Sequence, residues 1–266
     1  GLYYYFQNVI CLPAMALGWI FAIARIWDAI NDPMMGSIVD KTKSKWGKCK
    51  PYLLFAPLVV CVITCAAFLN GNYAVAKQEG NTSAMVLIVA WAAVSYILWG
   101  MSYTAGDVPL WGVISRMSEV EKDRANLIAL ARIVASIAAG LGIVSVVALS
   151  QAANKQFGES ENAQKGFIVV GIAMTVIASL LFECAGLGVK ERVPNSEETK
   201  TMKESFVLMW KCKPFRRLMI SGILRAPLQL LATVVMTLFT YYYCDGDLTN
   251  AFSNGKTFLT LSLIHI

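Results

Sequence analysis

Three polar side chains, Asp28, Asn31 and Asp32, interrupt an otherwise apolar stretch of the chain. They are spaced three and four residues apart, so on a helix they share one face. Two carboxylates about 6 Å apart on such a face should not both stay ionised without a cation. The pattern therefore predicts either Na⁺ or Li⁺ bound between Asp28 and Asp32, or a proton held by one of them.

Arg25 lies one turn earlier on the same face and offers these acids a different partner. A static ion pair from Arg25 to Asp28 or Asp32 would explain the cluster without any ligand, although one arginine cannot easily satisfy two acids. Pro33 favours a ligand, because its missing N–H leaves the carbonyl of Ala29 available as a further oxygen donor. Both interpretations stay open at this stage.

A second group of polar residues centres on Asp107 and Arg132, which fall in neighbouring apolar stretches. An ionised side chain at the centre of a membrane helix costs about 2.5–3.5 kcal/mol on insertion scales, so such residues normally face a partner or a polar interior. Thr104, Asp107 and Trp111 share one helix face, with Tyr103 beside them. A carboxylate and a guanidinium suit sugar hydroxyls, and an aromatic ring suits the apolar face of a sugar. The competing interpretations are a structural Asp107–Arg132 ion pair and ordinary aromatic helix packing.

The composition explains why these charges stand out. Of 266 residues, 57% are hydrophobic and only 15% are charged, against about 25% in soluble domains. Too few polar residues remain to cover a water-soluble globule, which argues against a cytosolic enzyme or a secreted domain. With a single histidine, His265, and no visible nucleophile–base pair, we expect no enzyme activity, no cofactor and no nucleic-acid partner. The composition predicts an all-α polytopic membrane protein embedded in the lipid bilayer.

Apolar stretches of about 20 residues or more predict the membrane helices. Residues 1–7 are interpreted as the end of an earlier helix and 251–266 as the beginning of another. The full helices are expected near 9–39, 51–70, 84–114, 124–150, 166–188 and 216–243.

Three connections between these helices are strongly basic: 40–50, 115–124 and 189–217. They hold 16 of the 23 Lys and Arg residues. Because basic loops are retained in the cytoplasm, these three connections are predicted to be cytoplasmic. The motif Gly36-x-x-x-Asp40-Lys41 leads into the first of these connections. Together with Arg25, its residues are assigned to gating at a lobe interface. Close packing is expected at Gly36.

The long polar connection divides the chain in the manner of a two-lobed transporter. We expect an N-terminal lobe over 1–188 whose first helix is truncated, a cytoplasmic linker over 189–215, and the start of a truncated C-terminal lobe over 216–266. The Tyr-Tyr-Tyr run at 3–5 recurs at 241–243. This echo supports an internal repeat, although an interfacial aromatic belt would explain it as well.

Three segments, 25–51, 96–111 and 131–136, closely resemble the glycoside–pentoside–hexuronide:cation symporters, the melibiose permease-like family. The resemblance implies the major facilitator fold, normally of twelve helices, of which this chain would hold the N-terminal six-helix lobe and the start of the second. It implies a coupling-cation site at Asp28, Asn31, Asp32 and Thr104. It also implies a sugar site at Asp107, Arg132 and Trp111, with Tyr103 as a weaker contact.

The expected function is symport of a glycoside or oligosaccharide with Na⁺, Li⁺ or H⁺ across the bacterial inner membrane, by alternating access. The sugar and the coupling cation are then the partners of the protein, beside the bilayer. The alternatives on the same fold are a non-transporting sensor and a lipid carrier.

Overall fold

The computed structural model describes residues 2–160, 163–192, 202–222 and 224, and every regular element in these ranges is a helix. A short helix, α1 (Leu2–Tyr4), continues into a π-helical turn at Tyr5–Val9. A further helical stretch covers 213–222. The other helices are α2 (Ala14–Lys41), α3 (Lys50–Phe68), α4 (Tyr73–Gln78), α5 (Thr82–Met117), α6 (Glu121–Gln156), α7 (Gln164–Gly188) and α8 (Met202–Lys211).

Five helical stretches in the described part of the chain are long and apolar enough to cross a membrane. They coincide with the first five full helices that the sequence predicts, which confirms an all-α polytopic membrane fold. The predicted helix 216–243 lies mostly outside the described residues, and 251–266 lies wholly outside them. The bounds differ most for α2, at its start, and for α6, at both ends; α5 and α6 contain 36 residues each. Both α5 and α6 continue into the charged segments that the sequence interpretation assigned to loops.

Two local details correct the predicted helix bounds. The helix expected from residue 9 begins at Ala14, because Cys11 has a positive φ of 56° and Pro13, with a ψ of 136°, precedes the first turn. The connection after α3 contains a helix of its own, α4. It is capped by the side-chain oxygen of Asn72, which accepts from the N–H groups of Ala74 and Val75.

The chain divides into two compact units, Gly1–Thr199 and Lys200–Ile266. In the second unit, α8 lies within the segment expected to be a linker. The assignment of two lobes joined by a linker stays a prediction.

Within the first unit, α3 packs against both α5 and α7, α2 packs against α5, and α6 packs mainly against α7. A large apolar cluster surrounds the fully buried rings of Tyr5 and Phe6. A smaller one joins the ends of α2, α3 and α5 around Val39, Leu53 and Val113. This arrangement lays α2 along α5, so the two helices that carry most of the predicted site residues are direct neighbours.

Candidate functional site

A cavity of about 350 Å³ lies between α2 and α5 and collects most of the polar residues that the sequence singled out. Its charged and hydroxyl groups come from both helices, and one wall is aromatic. The lining residues with functional groups are Arg25, Trp27, Asp28, Asp32, Tyr96, Trp99, Tyr103, Thr104 and Asp107. The volume is at the lower end of the range for ligand pockets. It is equivalent to roughly a dozen water molecules, which is room for about one sugar ring.

The two helices are joined inside this cavity by one hydrogen bond. The hydroxyl of Thr104 on α5 donates to Oδ1 of Asp32 on α2 at 3.0 Å. Thr104 is 6% exposed, so its hydroxyl is held away from bulk solvent. Among the described residues, Oδ2 of Asp32 has no hydrogen-bond donor, which leaves this oxygen available to a ligand.

Asp28 lies between Arg25 and the backbone of α5. One guanidinium nitrogen of Arg25 is 3.6 Å from Oδ2 of Asp28, and the Arg25 side chain is 79% exposed. A Cβ built on Gly100 would be 3.3 Å from Oδ1 of Asp28, so the missing side chain of this glycine makes room for the carboxylate. The ion pair that the sequence left open therefore exists. An exposed pair of this kind contributes at most about 1 kcal/mol to stability. It does not involve Asp32, which is hydrogen-bonded to Thr104 instead.

Asn31 departs from the predicted cluster. It is only 6% exposed, does not line the cavity, and its side-chain nitrogen has no hydrogen-bond partner in the described part of the chain. Each helical residue turns by about 100°. Asn31 therefore projects about 60° to one side of Asp28, while Asp32 projects about 40° to the other. The structure brings Asp28, Asp32 and Thr104 together and separates Asn31 from them, and its place in a cation site stays a prediction.

Asp107 is oriented by two aromatic residues of its own helix. Its Oδ1 accepts a hydrogen bond from the indole N–H of Trp111 at 3.2 Å and another from the hydroxyl of Tyr103 at 3.4 Å. These donors lie one turn to either side of the acid, so they hold the carboxylate along the axis of α5. Its second oxygen receives no hydrogen bond from the described residues, and Asp107 lines the cavity.

Arg132 on α6 meets Trp111 and not the acid. Its guanidinium carbon is 4.3 Å from the centre of the Trp111 ring, a cation–π contact. Among the described residues no salt bridge joins Arg132 to Asp107, so the structural ion pair that the sequence left open is not formed. Trp111 instead holds Asp107 at its N–H and Arg132 over its face. The acid and the base are thereby kept near one another with hydrogen-bonding capacity to spare.

The aromatic row on α5 serves both packing and the cavity wall. The rings of Trp99 and Tyr103 stack with centres 5.4 Å apart, and those of Tyr96 and Trp99 are 5.7 Å apart. Tyr96 also meets Phe21 of α2 edge-on at 4.8 Å. Tyr103 ends the row and is 50% exposed. The sequence interpretation missed Trp99 and Trp27 as lining residues, although Trp99 continues the three- and four-residue spacing of Tyr96 and Tyr103.

The charged turn after α2 is only partly as expected. Asp40 forms an ion pair with Arg116 of α5 at 3.3 Å, while Lys41 is exposed. The close packing expected at Gly36 is absent from the described part of the chain, because no atom there lies within 4 Å of a Cβ built on it. The assignment of Arg25, Gly36, Asp40 and Lys41 to a lobe interface stays a prediction.

The oxygen atoms of the cavity fit a small monovalent cation better than a transition metal. Asp28 and Asp32 supply charge, and the Thr104 hydroxyl supplies a neutral oxygen; hard cations prefer such donors. No group of three or more His, Cys, Asp or Glu side chains suited to a metal ion occurs among the residues that the structure describes. The arrangement can hold one cation between two acids. Asp107 and Trp111 lie further along α5, with Arg132 of α6 over the Trp111 ring.

Comparison with known proteins gives a single family. The family model described as MFS/sugar transport protein matches residues 2–265. An uncharacterised symporter of Bacillus subtilis, YjmB, is 31% identical over 89% of this chain and 46% of its own length. The isoprimeverose transporter of Lactiplantibacillus pentosus is 27% identical over 76% of this chain and 39% of its own length. The lactose permease of Leuconostoc lactis is 28% identical, over 68% and 28% respectively. The chain therefore spans less than half the length of these relatives.

Proposed function

Because the chain belongs to the family of MFS/sugar transport proteins, we propose that it is part of a cation-coupled glycoside symporter. The complete protein would carry a glycoside or oligosaccharide together with Na⁺, Li⁺ or H⁺ across a bacterial inner membrane by alternating access. The observation that carries this proposal is the arrangement on α5. Thr104, which is bonded to an acid of α2, lies one turn from Asp107, which borders the same cavity.

The cation would bind where the negative charge is greatest and least compensated. Asp28 and Asp32 face one cavity. Arg25, the only basic side chain that lines it among the described residues, is mostly exposed and pairs with one of them. A bound Na⁺ or Li⁺ would be held by one oxygen from each acid and by the Thr104 hydroxyl. Protonation of one acid would relieve the same repulsion, so H⁺ can take the same role.

The sugar would bind at the set formed by Asp107, Trp111 and Arg132. The free oxygen of Asp107 would accept from sugar hydroxyls, and the guanidinium of Arg132 would donate to others. The exposed ring of Tyr103 would cover an apolar sugar face. The names of two relatives, isoprimeverose transporter and lactose permease, support a glycoside as the substrate.

Coupling would follow from the shared helix. A cation ligated by Asp32 of α2 and Thr104 of α5 would add a second link to the hydrogen bond between them and so fix α5 against α2, with Asp107 one turn away on α5. By linkage, a cation that tightens sugar binding must itself be bound more tightly when the sugar is present. Symport needs this reciprocity, since neither ligand should cross alone.

The test is uptake of radiolabelled glycosides into membrane vesicles that contain the full-length protein. Asp32→Asn keeps an oxygen that can accept from Thr104 but removes the charge, and Asp28→Asn does the same beside Arg25. Each variant should lose cation-stimulated accumulation while energy-independent exchange of sugar is reduced less. Asp123→Asn, an exposed acid at the start of α6, is the matched control. The proposal is wrong if both variants still concentrate sugar as the unmodified protein does.

A further inference from the structure

One carboxylate outside the cavity has an unusually complete set of donors. Glu191, three residues beyond α7, accepts from the backbone N–H groups of Lys48, Cys49 and Lys50 at 3.1, 2.8 and 3.1 Å. These amides lead into α3, since Lys50 is its first residue and Cys49 its N-cap. The first N–H groups of a helix lack partners within it and carry its positive dipole end, so a carboxylate there satisfies both needs.

The same two helix ends are joined in the opposite sense by a lysine. The ammonium group of Lys50 donates to the carbonyl oxygens of Leu187 and Val189, at 3.1 and 3.0 Å, where α7 ends. A cation at that position meets the unpaired carbonyls and the negative end of the dipole. We call this pair of contacts, Glu191 on α3 and Lys50 on α7, the reciprocal cap.

The reciprocal cap is continuous with the ends of the two helices that line the cavity. The N–H of Arg192 donates to the carbonyl of Arg116 at the end of α5, at 2.9 Å. The side chain of Arg116 pairs with Asp40 at the end of α2, at 3.3 Å. One short segment after α7 therefore contacts the start of α3 and the end of α5 directly, and it reaches the end of α2 through Arg116.

The loop before α3 is shaped for this carboxylate. Gly47 has a φ of +110°, a conformation that other residues rarely adopt. A Cβ at Gly47 would also collide with the carboxylate of Glu191. Glycine at this position is therefore required by the backbone and by the approach of Glu191.

We propose that Glu191 is a positioning residue of the transport cycle. Through the reciprocal cap it attaches the start of the polar connection 189–217 to the ends of α2, α3 and α5, so that these helix ends move as one body when the transporter changes conformation. This inference rests on the transport function proposed above. Asp32 lies eight residues before Asp40 on α2, or about 12 Å along the helix axis. At this distance the reciprocal cap leaves the affinity for sugar and cation unchanged. Because it joins the helix ends that move together, it sets the rate of the conformational step.

The test uses the full-length protein with two variants that open the cap in different ways. Glu191→Gln removes the charge, whereas Gly47→Ala keeps the charge and excludes the carboxylate sterically. Glu119→Gln is the matched control, an exposed acid in the α5–α6 connection. Hydrogen exchange of the segment that contains Lys48, Cys49 and Lys50 reports the cap directly. Sugar binding and the maximal rate of uptake report its effect.

Both variants should exchange these amides at least about tenfold faster and transport several-fold more slowly, with sugar affinity within about twofold of the unmodified protein. The control should change none of these. The proposal is overturned if the amides are released and uptake keeps its full rate, or if binding weakens as much as uptake. It is also overturned if neither variant reaches the membrane folded, since the cap is then a folding element alone. If the unmodified protein transports no glycoside, the proposed transport function itself is wrong. That result is obtained before any variant is made, so it can be told apart from a failure of this inference.

Discussion

Replacing Thr104 by valine removes the hydrogen bond that joins α2 to α5 inside the cavity, and nearly preserves the shape of the side chain. The hydroxyl donates to Asp32 at 3.0 Å and is almost fully buried. A hydrogen bond to a charged group contributes about 1.5–3 kcal/mol. Valine also deletes one of the three oxygen ligands expected for the cation.

A lost oxygen ligand that is worth as much to the cation as such a hydrogen bond lowers the cation affinity by about 10- to 150-fold. Sugar binding measured without the cation should stay within about twofold, because Asp107, Trp111 and Arg132 keep their mutual contacts. The cation concentration that half-stimulates sugar binding should rise by the same factor, because that concentration follows the cation affinity.

The assay is calorimetric titration of the full-length protein with sugar at a series of Na⁺, Li⁺ and H⁺ concentrations. Thr64→Val is the matched control, because Thr64 is also buried but donates within its own helix to Val60. An unchanged cation affinity in Thr104→Val would refute the assignment of the cavity. Equal losses in Thr104→Val and Thr64→Val would show a general packing effect instead.

Three further predictions concern the surrounding residues. Trp111→Phe removes the indole donor of Asp107 and should raise the KM for sugar about tenfold at constant cation affinity, whereas Tyr103→Phe, which removes a longer hydrogen bond, should have a smaller effect; initial uptake rates measure both. Gly100→Ala places a methyl group against Asp28 and should lower cation affinity several-fold without unfolding, as checked by the same titration and by thermal melting. Burial, and secondarily the charge of Glu191, raise the pKa of Cys49 to about 11, so its thiol stays protonated below that pH. In a protein whose other cysteines are replaced, maleimide should therefore label Cys49 far more slowly at pH 8 than it labels a single exposed Cys212, and Glu191→Gln should accelerate labelling; equal rates at the two cysteines would contradict the burial.

The membrane helices could be predicted from sequence because the physics that selects them is local. An ionised side chain is costly within the hydrocarbon layer, so charge-free stretches mark the spans directly. The exact ends could not be predicted, because each depends on backbone geometry. The positive φ of Cys11 moved the start of α2, and the Asn72 cap created α4 inside an expected loop.

The sequence predicted part of the cavity lining and not the contacts within it. Helical spacing placed Asp28 and Asp32 side by side, and they do line one cavity. The same spacing placed Asn31 on this helix face. A face about 100° wide, however, meets the cavity on one side and the bundle interior on the other, and Asn31 is buried outside the cavity. For Asp107 and Arg132, opposite charge suggested a pair, but the indole of Trp111 separates their roles.

Glu191 carried no signal that sequence reasoning could use. Its partners are backbone N–H groups more than 140 residues away, and a backbone amide has no residue identity. Gly47 was the one residue whose type bears on this contact. The reason why glycine is required there is seen only in the structure, where the Glu191 carboxylate lies against it.

The sequence by itself determined that this chain is an apolar helical membrane protein, which charges fall within its apolar helices, and which family it resembles. These properties follow from composition and from spacing along one helix, and both can be read without knowing any neighbour. The tertiary structure alone decided which oxygen of Asp32 accepts from Thr104, that Arg132 lies over Trp111, and that Glu191 caps the start of α3. Such choices depend on how helices distant in sequence pack together, because hydrogen bonds and ring contacts act only over a few ångströms.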